Sequence, residues 1–206
     1  MLDVSLIEPY YDAANSYLLQ SGTDFAVVDC GVFDAASDAF LQARGVTELR
    51  YILLTHGHYD HILGANALKQ KYGGALVISV GDAGCLTDER RSLNAYARFG
   101  TQTPVEADRA VQDGDKLPFG DGEITVLFTP GHTPGGVCYL MEDCLFSGDT
   151  LFCRSIGRSD LPGGNTLTLL RSLETLKALP GDYRVFPGHG EETTLDEERR
   201  WNPFLR

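Results

Sequence analysis

The sequence predicts an α/β protein, and three observations carry that expectation. Short apolar runs, residues 51–54 and 75–80 among them, alternate with segments of helical spacing such as 167–179. The run at 51–54 is apolar throughout, as in a strand covered on both faces. Turns rich in histidine and glycine follow the ends of several such runs, and in sheets flanked by helices those ends open onto one rim.

Taken in order, residues 4–7, 16–19 and 25–28 read as three short strands of a meander, the last two joined at Ser21-Gly22-Thr23-Asp24. Asp34 caps a helix with apolar residues at Ala35, Ala39, Phe40 and Ala43, closed by Gly45. The strand at 51–54 leads into a histidine-rich turn, a helix over 62–72 ending at Gly73-Gly74, and a strand at 75–80. Helix and strand alternating in this way imply parallel neighbours joined by helical crossovers. Residues 82–108 are irregular and read either as a solvated connector or as a lid over a site. Strands follow at 124–128, 137–141 and 145–146, then an amphipathic helix at 167–179 and a last strand at 183–186. A charged helix over 196–200 leads to Trp201, Phe204 and Leu205, whose apolar side chains are expected to dock the end of the chain.

At 206 residues the whole chain, 1–206, is expected to form a single domain, and no linker or low-complexity stretch divides it. The net charge of −12, with no basic stripe, argues against nucleic acid as a partner. No secretory signal and no run long enough to span a bilayer is visible, and five cysteines without a CxxC read as reduced thiols. A cytoplasmic location with no membrane association is therefore expected.

The chemistry concentrates in Thr55-His56-Gly57-His58-Tyr59-Asp60-His61, which holds three of the five histidines. In an extended segment residues two apart face one side, so His56 and His58 can aim at one ion. Where the chain turns into a helix, Asp60 and His61 are directed elsewhere, which suits a second ion. The other two histidines, His132 and His189, each follow a strand-like run and are flanked by glycine. Asp149, past the strand at 145–146, adds a carboxylate able to bridge two dications.

In order and separation, the 55–61 turn, His132, Asp149 and His189 resemble the metallo-β-lactamase superfamily, over roughly residues 15–189. The resemblance implies a four-layer αββα sandwich of the metallo-β-lactamase type with metals at one rim. It assigns His56, His58 and His132 to a first ion and Asp60, His61 and His189 to a second, with Asp149 bridging. The implied cofactors are two divalent metal ions, zinc first, with iron or manganese as alternatives for the same donors. True lactamases commonly place a cysteine where this chain has Asp149, so antibiotic hydrolysis is disfavoured. A nearer likeness is to glyoxalase II-like enzymes of the single-domain bacterial kind, through GDTLF at 148–152 and GRSDLPGG at 157–164. It implies hydrolysis of a small-molecule thioester, such as S-lactoylglutathione or a related acylthiol, by a hydroxide held between the ions and oriented by Asp60 as catalytic carboxylate. The helical domain with which full-length glyoxalase II helps to hold glutathione is expected to have no counterpart in this chain, which leaves the thiol open.

Asp29 is expected to support a ligating imidazole through its free N–H. Arg158 is expected to bind a substrate carboxylate or to pair with Asp160, and Asn94, Tyr96 and Phe99 are further candidates for substrate contact. Two rival readings use the same motif. One is an iron-dependent persulfide dioxygenase with iron on His56, His132 and Asp149; the other is a non-catalytic sensor that uses the metal pocket only for binding.

Overall fold

The computed structural model describes residues 1–7 and 13–206. Six strands form the first sheet in the order β1 (Asp3–Ile7), β2 (Ser16–Ser21), β3 (Asp24–Val28), β4 (Tyr51–Leu53), β5 (Ala75–Ser79) and β6 (Arg109–Val111). β1, β2 and β3 pair antiparallel, whereas β3, β4, β5 and β6 pair parallel. The link between β1 and β2 includes residues outside the described set. Within the second sheet β7 (Lys116–Phe119), β8 (Gly122–Phe128), β9 (Val137–Met141) and β10 (Cys144–Gly148) form a meander. Beyond it β13 (Arg184–Pro187) lies parallel to β10, with β14 (Thr193–Thr194) at the edge. A separate hairpin joins β11 (Leu151–Phe152) to β12 (Ser155–Ile156).

The period-two alternation of the apolar runs sorts side chains into separate cores. Tyr17, Leu19, Ala26, Val28, Tyr51, Leu53 and Val77 meet Tyr139, Phe146 and Phe186 between the two sheets. Their neighbours Leu18, Val27, Ile52, Leu54, Leu76 and Ile78 face the opposite side, where they pack against Leu41 of α1 (Ala35–Ala43) and Leu68 and Tyr72 of α3 (Ala65–Tyr72). Cys138, Leu145 and Val185 turn outward from the second sheet onto Leu169, Leu173 and Leu176 of α5 (Thr166–Lys177) and Leu195 of α6 (Leu195–Trp201). The result is four layers, helix, sheet, sheet and helix, as the superfamily resemblance implies. Among the described residues no helix is long and apolar enough to cross a membrane.

Tertiary contacts revise three local expectations and add an edge strand, β7, where no element was expected. The single helix expected over 62–72 is two, α2 (Tyr59–Ile62) and α3, because the chain breaks at Gly64 to run against residues 30–33. A Cβ on Gly64 would lie 2.7 Å from the Cys30 Sγ and the Phe33 amide nitrogen, so only glycine allows that approach. β7 carries Pro118, which reads against a strand, yet it is an edge strand where a missing N–H costs no ladder bond. The 82–108 segment holds a 3-10 turn, Ala83–Leu86, and α4 (Asn94–Ala97). At the end of the chain only Leu205 docks; Trp201 and Phe204 stay exposed, and Trp201 carries Arg154 and Arg206 against its ring.

The cap of α5 offers a stability test. Asn165 accepts from the Thr168 amide at 2.9 Å. Asn165→Ala is expected to remove about 1 kcal/mol, a fall in Tm of roughly 2–4 °C by scanning calorimetry, with turnover retained.

Candidate metal centre

Four strand ends supply the site. β4 delivers Thr55 to His58, α2 carries Asp60 and His61, the turn after β8 holds His132, and Asp149 and His189 follow β10 and β13. His56 Nε2 lies 3.1 Å and His132 Nε2 2.8 Å from Nδ1 of His58. His61 Nε2 stands 3.3 Å from Asp149 Oδ1 and 3.8 Å from Asp60 Oδ2. His189 Nε2 is 3.1 Å from Asp60 Oδ2 and 3.7 Å from Asp149 Oδ2, and His132 Nε2 is 3.5 Å from the same Asp149 oxygen. Two donors about 2.0–2.1 Å from one ion lie roughly 2.9–3.4 Å apart for right-angle to tetrahedral geometry, and the His56–His58, His61–Asp149 and His189–Asp60 separations fall in that range. Ligand atoms converge within 4.8 Å in three groups: His56, His58 and His132; His56, His61 and Asp149; and Asp60, His61 and His189.

Two atoms test whether a cation fits. His61 Nε2 and Asp149 Oδ1 are buried and face each other without a hydrogen-bond partner. Leaving such groups unsatisfied costs about 1–3 kcal/mol each, a cost that a cation between them removes. Gly188 closes the same cradle: a Cβ there would meet Asp149 Oδ1 at 2.3 Å and His61 Cε1 at 2.7 Å.

Three of the remaining ring nitrogens, those of His56, His61 and His132, are fixed from behind. Asp29, 1% exposed and itself at φ +55°, accepts from the Thr55 amide at 2.8 Å, from Thr55 Oγ1 at 2.7 Å and from His61 Nδ1 at 2.8 Å. His56 Nδ1 meets Thr55 Oγ1 at 3.2 Å, and His132 Nδ1 donates to the Arg158 carbonyl at 2.6 Å. Each contact fixes the tautomer that leaves Nε2 free to ligate.

Burial and the neighbouring imidazoles push His56 far below its ordinary pKa, and burial with His132 beside it brings His58 down to about 3, so both are neutral donors. Burial also opposes a charge on His61, but Asp29, Asp149 and Asp60 outweigh it and hold its pKa well above the ordinary value. For Asp149 burial is offset by His61, His132 and His189, which keep the carboxyl well below the usual range. Asp60 is held down in the same sense by His61 and His189, and His189 is raised, against its burial, by Asp60 and Asp149.

Above the centre opens a cleft of about 420 Å³. His58, Asp60, His132, Asp149 and His189 form its floor; Leu93, Phe152, Ile156 and Leu161 line its walls. Arg158 lines it too and pairs with Asp160 through two hydrogen bonds of 2.7 and 2.8 Å. Asn94, Tyr96 and Phe99 are not among its lining residues: Asn94 is buried and donates to the Gly100 carbonyl, Phe99 packs on the Tyr59 ring, and Tyr96 is 71% exposed. The 82–108 segment instead contributes Leu93, and it is tied down where the Tyr59 amide donates to Ser92 O at 2.9 Å and Gln102 donates to Cys85 O at 2.7 Å.

One residue the sequence reading missed joins two ligand turns. Asp82, buried, accepts from the Gly57 amide at 3.0 Å, from Thr133 Oγ1 at 2.7 Å and from the Gly135 amide at 2.8 Å. Its signal was available, since it too is an acid just past a strand end. The five cysteines are unpaired thiols, and Cys30, the one adjoining Asp29, is inert: burial, with Asp29 beside it, drives its pKa far up.

Residues 10–189 match the sequence profile of the metallo-beta-lactamase superfamily. The chain is 36% identical to a probable metallo-hydrolase of Bacillus subtilis, YqgX, across 93% of this chain and 92% of that one. It is 42% identical over 157 residues to a hydroxyacylglutathione hydrolase of Brucella anthropi, a match spanning 75% of this chain and 52% of the relative. Among solved structures, BLEG-1 B3 metallo-β-lactamase superposes with a TM-score of 0.91 at 32% identity, over 98% of this chain and 99% of that one. TTHA1623 in a di-iron-bound form follows at 0.83 and 36%, over 93% and 95%. With strand-end ligands, four layers and a profile match over most of its length, the chain belongs to the metallo-β-lactamase superfamily.

Proposed function

We propose that the protein hydrolyses small-molecule thioesters, S-lactoylglutathione or related acylthiols, at a centre of two divalent ions. His56, His58 and His132 would hold the first ion and Asp60, His61 and His189 the second, with Asp149 between them. The observation that carries this reading is the pair of orphaned buried atoms, His61 Nε2 and Asp149 Oδ1, set among five further imidazole and carboxylate donors. The partial match to a hydroxyacylglutathione hydrolase supports the thioester as substrate. Zinc is the first choice of metal, and the di-iron form of TTHA1623 keeps iron beside it.

Bound dications would lower the pKa of a coordinated water from about 15.7 towards about 7 and polarise the acyl carbonyl, so that hydrolysis needs no organic base. The chain's own part is placement. Asp60 faces the cleft, with Oδ2 beside His189 Nε2 where both would hold the second ion, and its other oxygen acts as the catalytic carboxylate oxygen that accepts a hydrogen bond from the attacking water and aims it. Asp29, through His61 Nδ1, keeps that imidazole turned inward. Leu93 and Phe152 give the cleft an apolar wall beside the floor.

The deciding experiment is a metal count on freshly purified protein beside turnover of S-lactoylglutathione. Two ions per chain with hydrolysis are expected; one iron per chain with oxygen uptake on glutathione persulfide would replace this reading by the dioxygenase. The likeness to BLEG-1 favours one second reading, opening of a β-lactam amide, and a β-lactam assayed in parallel at equal enzyme concentration separates the two. Because the acids around His61 hold a proton on it, metal loading at pH 7 is expected to release at least about one proton per chain. Zinc titrations by calorimetry in buffers of different ionisation heat read that number, and a heat independent of buffer contradicts it.

A further inference from the structure

We propose that, among the thioesters this reading allows, the cleft prefers those with an apolar acyl body and a thiol free of clustered carboxylates over S-lactoylglutathione, an inference that rests on thioester hydrolysis as the activity. Leu93, Phe152, Ile156 and Leu161 come from three separate segments, yet all face the cleft. The last three are only half-buried, so an alkyl or aryl acyl group laid against them removes water from apolar surface on both partners.

That wall is built before any ligand arrives. The β11–β12 hairpin is fastened to the C-terminal helix, where Asn202 Nδ2 donates to the Ser155 carbonyl at 2.9 Å and Glu198 Oε2 accepts from the Arg154 amide at 2.8 Å. Both Asn202 and Glu198 are fully buried. A preformed wall loses little freedom on binding, so its contacts count towards affinity.

The electrostatics point the same way. Among the described residues lining the cleft, Arg158 is the sole lysine or arginine, and its Nε and Nη2 are both given to Asp160. In a chain of net charge −12, a peptide thiol with two carboxylates meets at this cleft, apart from the metal centre itself, only an Arg158 already paired with Asp160. A neutral thiol meets no such opposition.

The test uses non-hydrolysable thioethers, S-methyl- and S-hexyl-N-acetylcysteamine and S-hexylglutathione, titrated by calorimetry into zinc-loaded protein. A fully buried methylene gives roughly fourfold in affinity, so the hexyl compound should bind at least about tenfold tighter than the methyl one even with partial burial. Phe152→Ala should shrink that ratio severalfold, and Asp160→Asn, which releases Arg158, should tighten only S-hexylglutathione. Hexyl and methyl affinities within about twofold, or S-hexylglutathione binding tighter than its neutral counterpart in the unmutated protein, would overturn the proposal. Turnover of S-acetyl- and S-hexanoyl-N-acetylcysteamine separates it from the activity beneath it. Preferential hexyl binding without cleavage of either thioester removes the hydrolase reading and leaves the selection standing; cleavage of both with equal kcat/KM removes the selection alone.

Discussion

Asp149→Ala is expected to lower kcat at least about 10³-fold, a loss on the order of 4 kcal/mol in transition-state stabilisation. The reason is position. Its two oxygens reach three imidazoles from different parts of the chain, at 3.3 Å to His61, 3.5 Å to His132 and 3.7 Å to His189. No other acid in the cluster stands between the His132 side and the His61 side, so alanine leaves two cations to repel each other across an uncompensated gap. Metal content should fall from two ions per chain towards one, measured by plasma emission on dialysed protein. Full metal content together with full turnover would remove Asp149 from the bridging position and the two-ion centre with it.

Asp29→Ala should damage both stability and loading. The buried carboxylate serves three donors, and its removal leaves the Thr55 amide and His61 Nδ1 without partners, at a cost of about 3–5 kcal/mol. For a chain of this length that is a fall in Tm of roughly 6–20 °C, and metal affinity should drop by about 10–100-fold as His61 loses its orientation. Asp29→Asn is the informative companion. Asparagine tolerates the left-handed φ of +55° and keeps the shape, but it brings an N–H2 where two oxygens accept. Stability should recover in part while metal affinity stays low; recovery of both would mean that Asp29 acts on the backbone turn alone.

Much of this molecule was legible in the linear chain because its signals are local. Period-two alternation in 16–19, 25–28, 51–54 and 75–80 decides which side chains enter which core, and Asp34 is the helix cap that its type and place predict. The seven ligand-type residues stood out because histidine is scarce and each sits past a strand end, where glycine lets backbone approach. Other features depend on partners distant in sequence. The break between α2 and α3 comes from Gly64 pressed against residues 30–33, and β7 tolerates Pro118 only because the sheet ends there. The cleft wall is the clearest case. Asn94, Tyr96 and Phe99 carry the side chains expected to touch substrate, but Leu93, at φ +68°, is the residue of that segment which faces the centre, with Phe152 and Ile156 brought in from a hairpin anchored by Glu198 and Asn202 and Leu161 from the loop after it. By itself the sequence determined the alternation of strands and helices and the chemistry of the donors, since both follow from residue type and spacing along one strand or turn, whereas the four layers were implied by the superfamily resemblance. Which atoms meet across the rim, which imidazole nitrogen is left free and which apolar side chains face the substrate were decided by the tertiary structure, because most of these contacts join segments distant in sequence, 26 residues apart for His132 and Arg158 and 129 for Asp60 and His189.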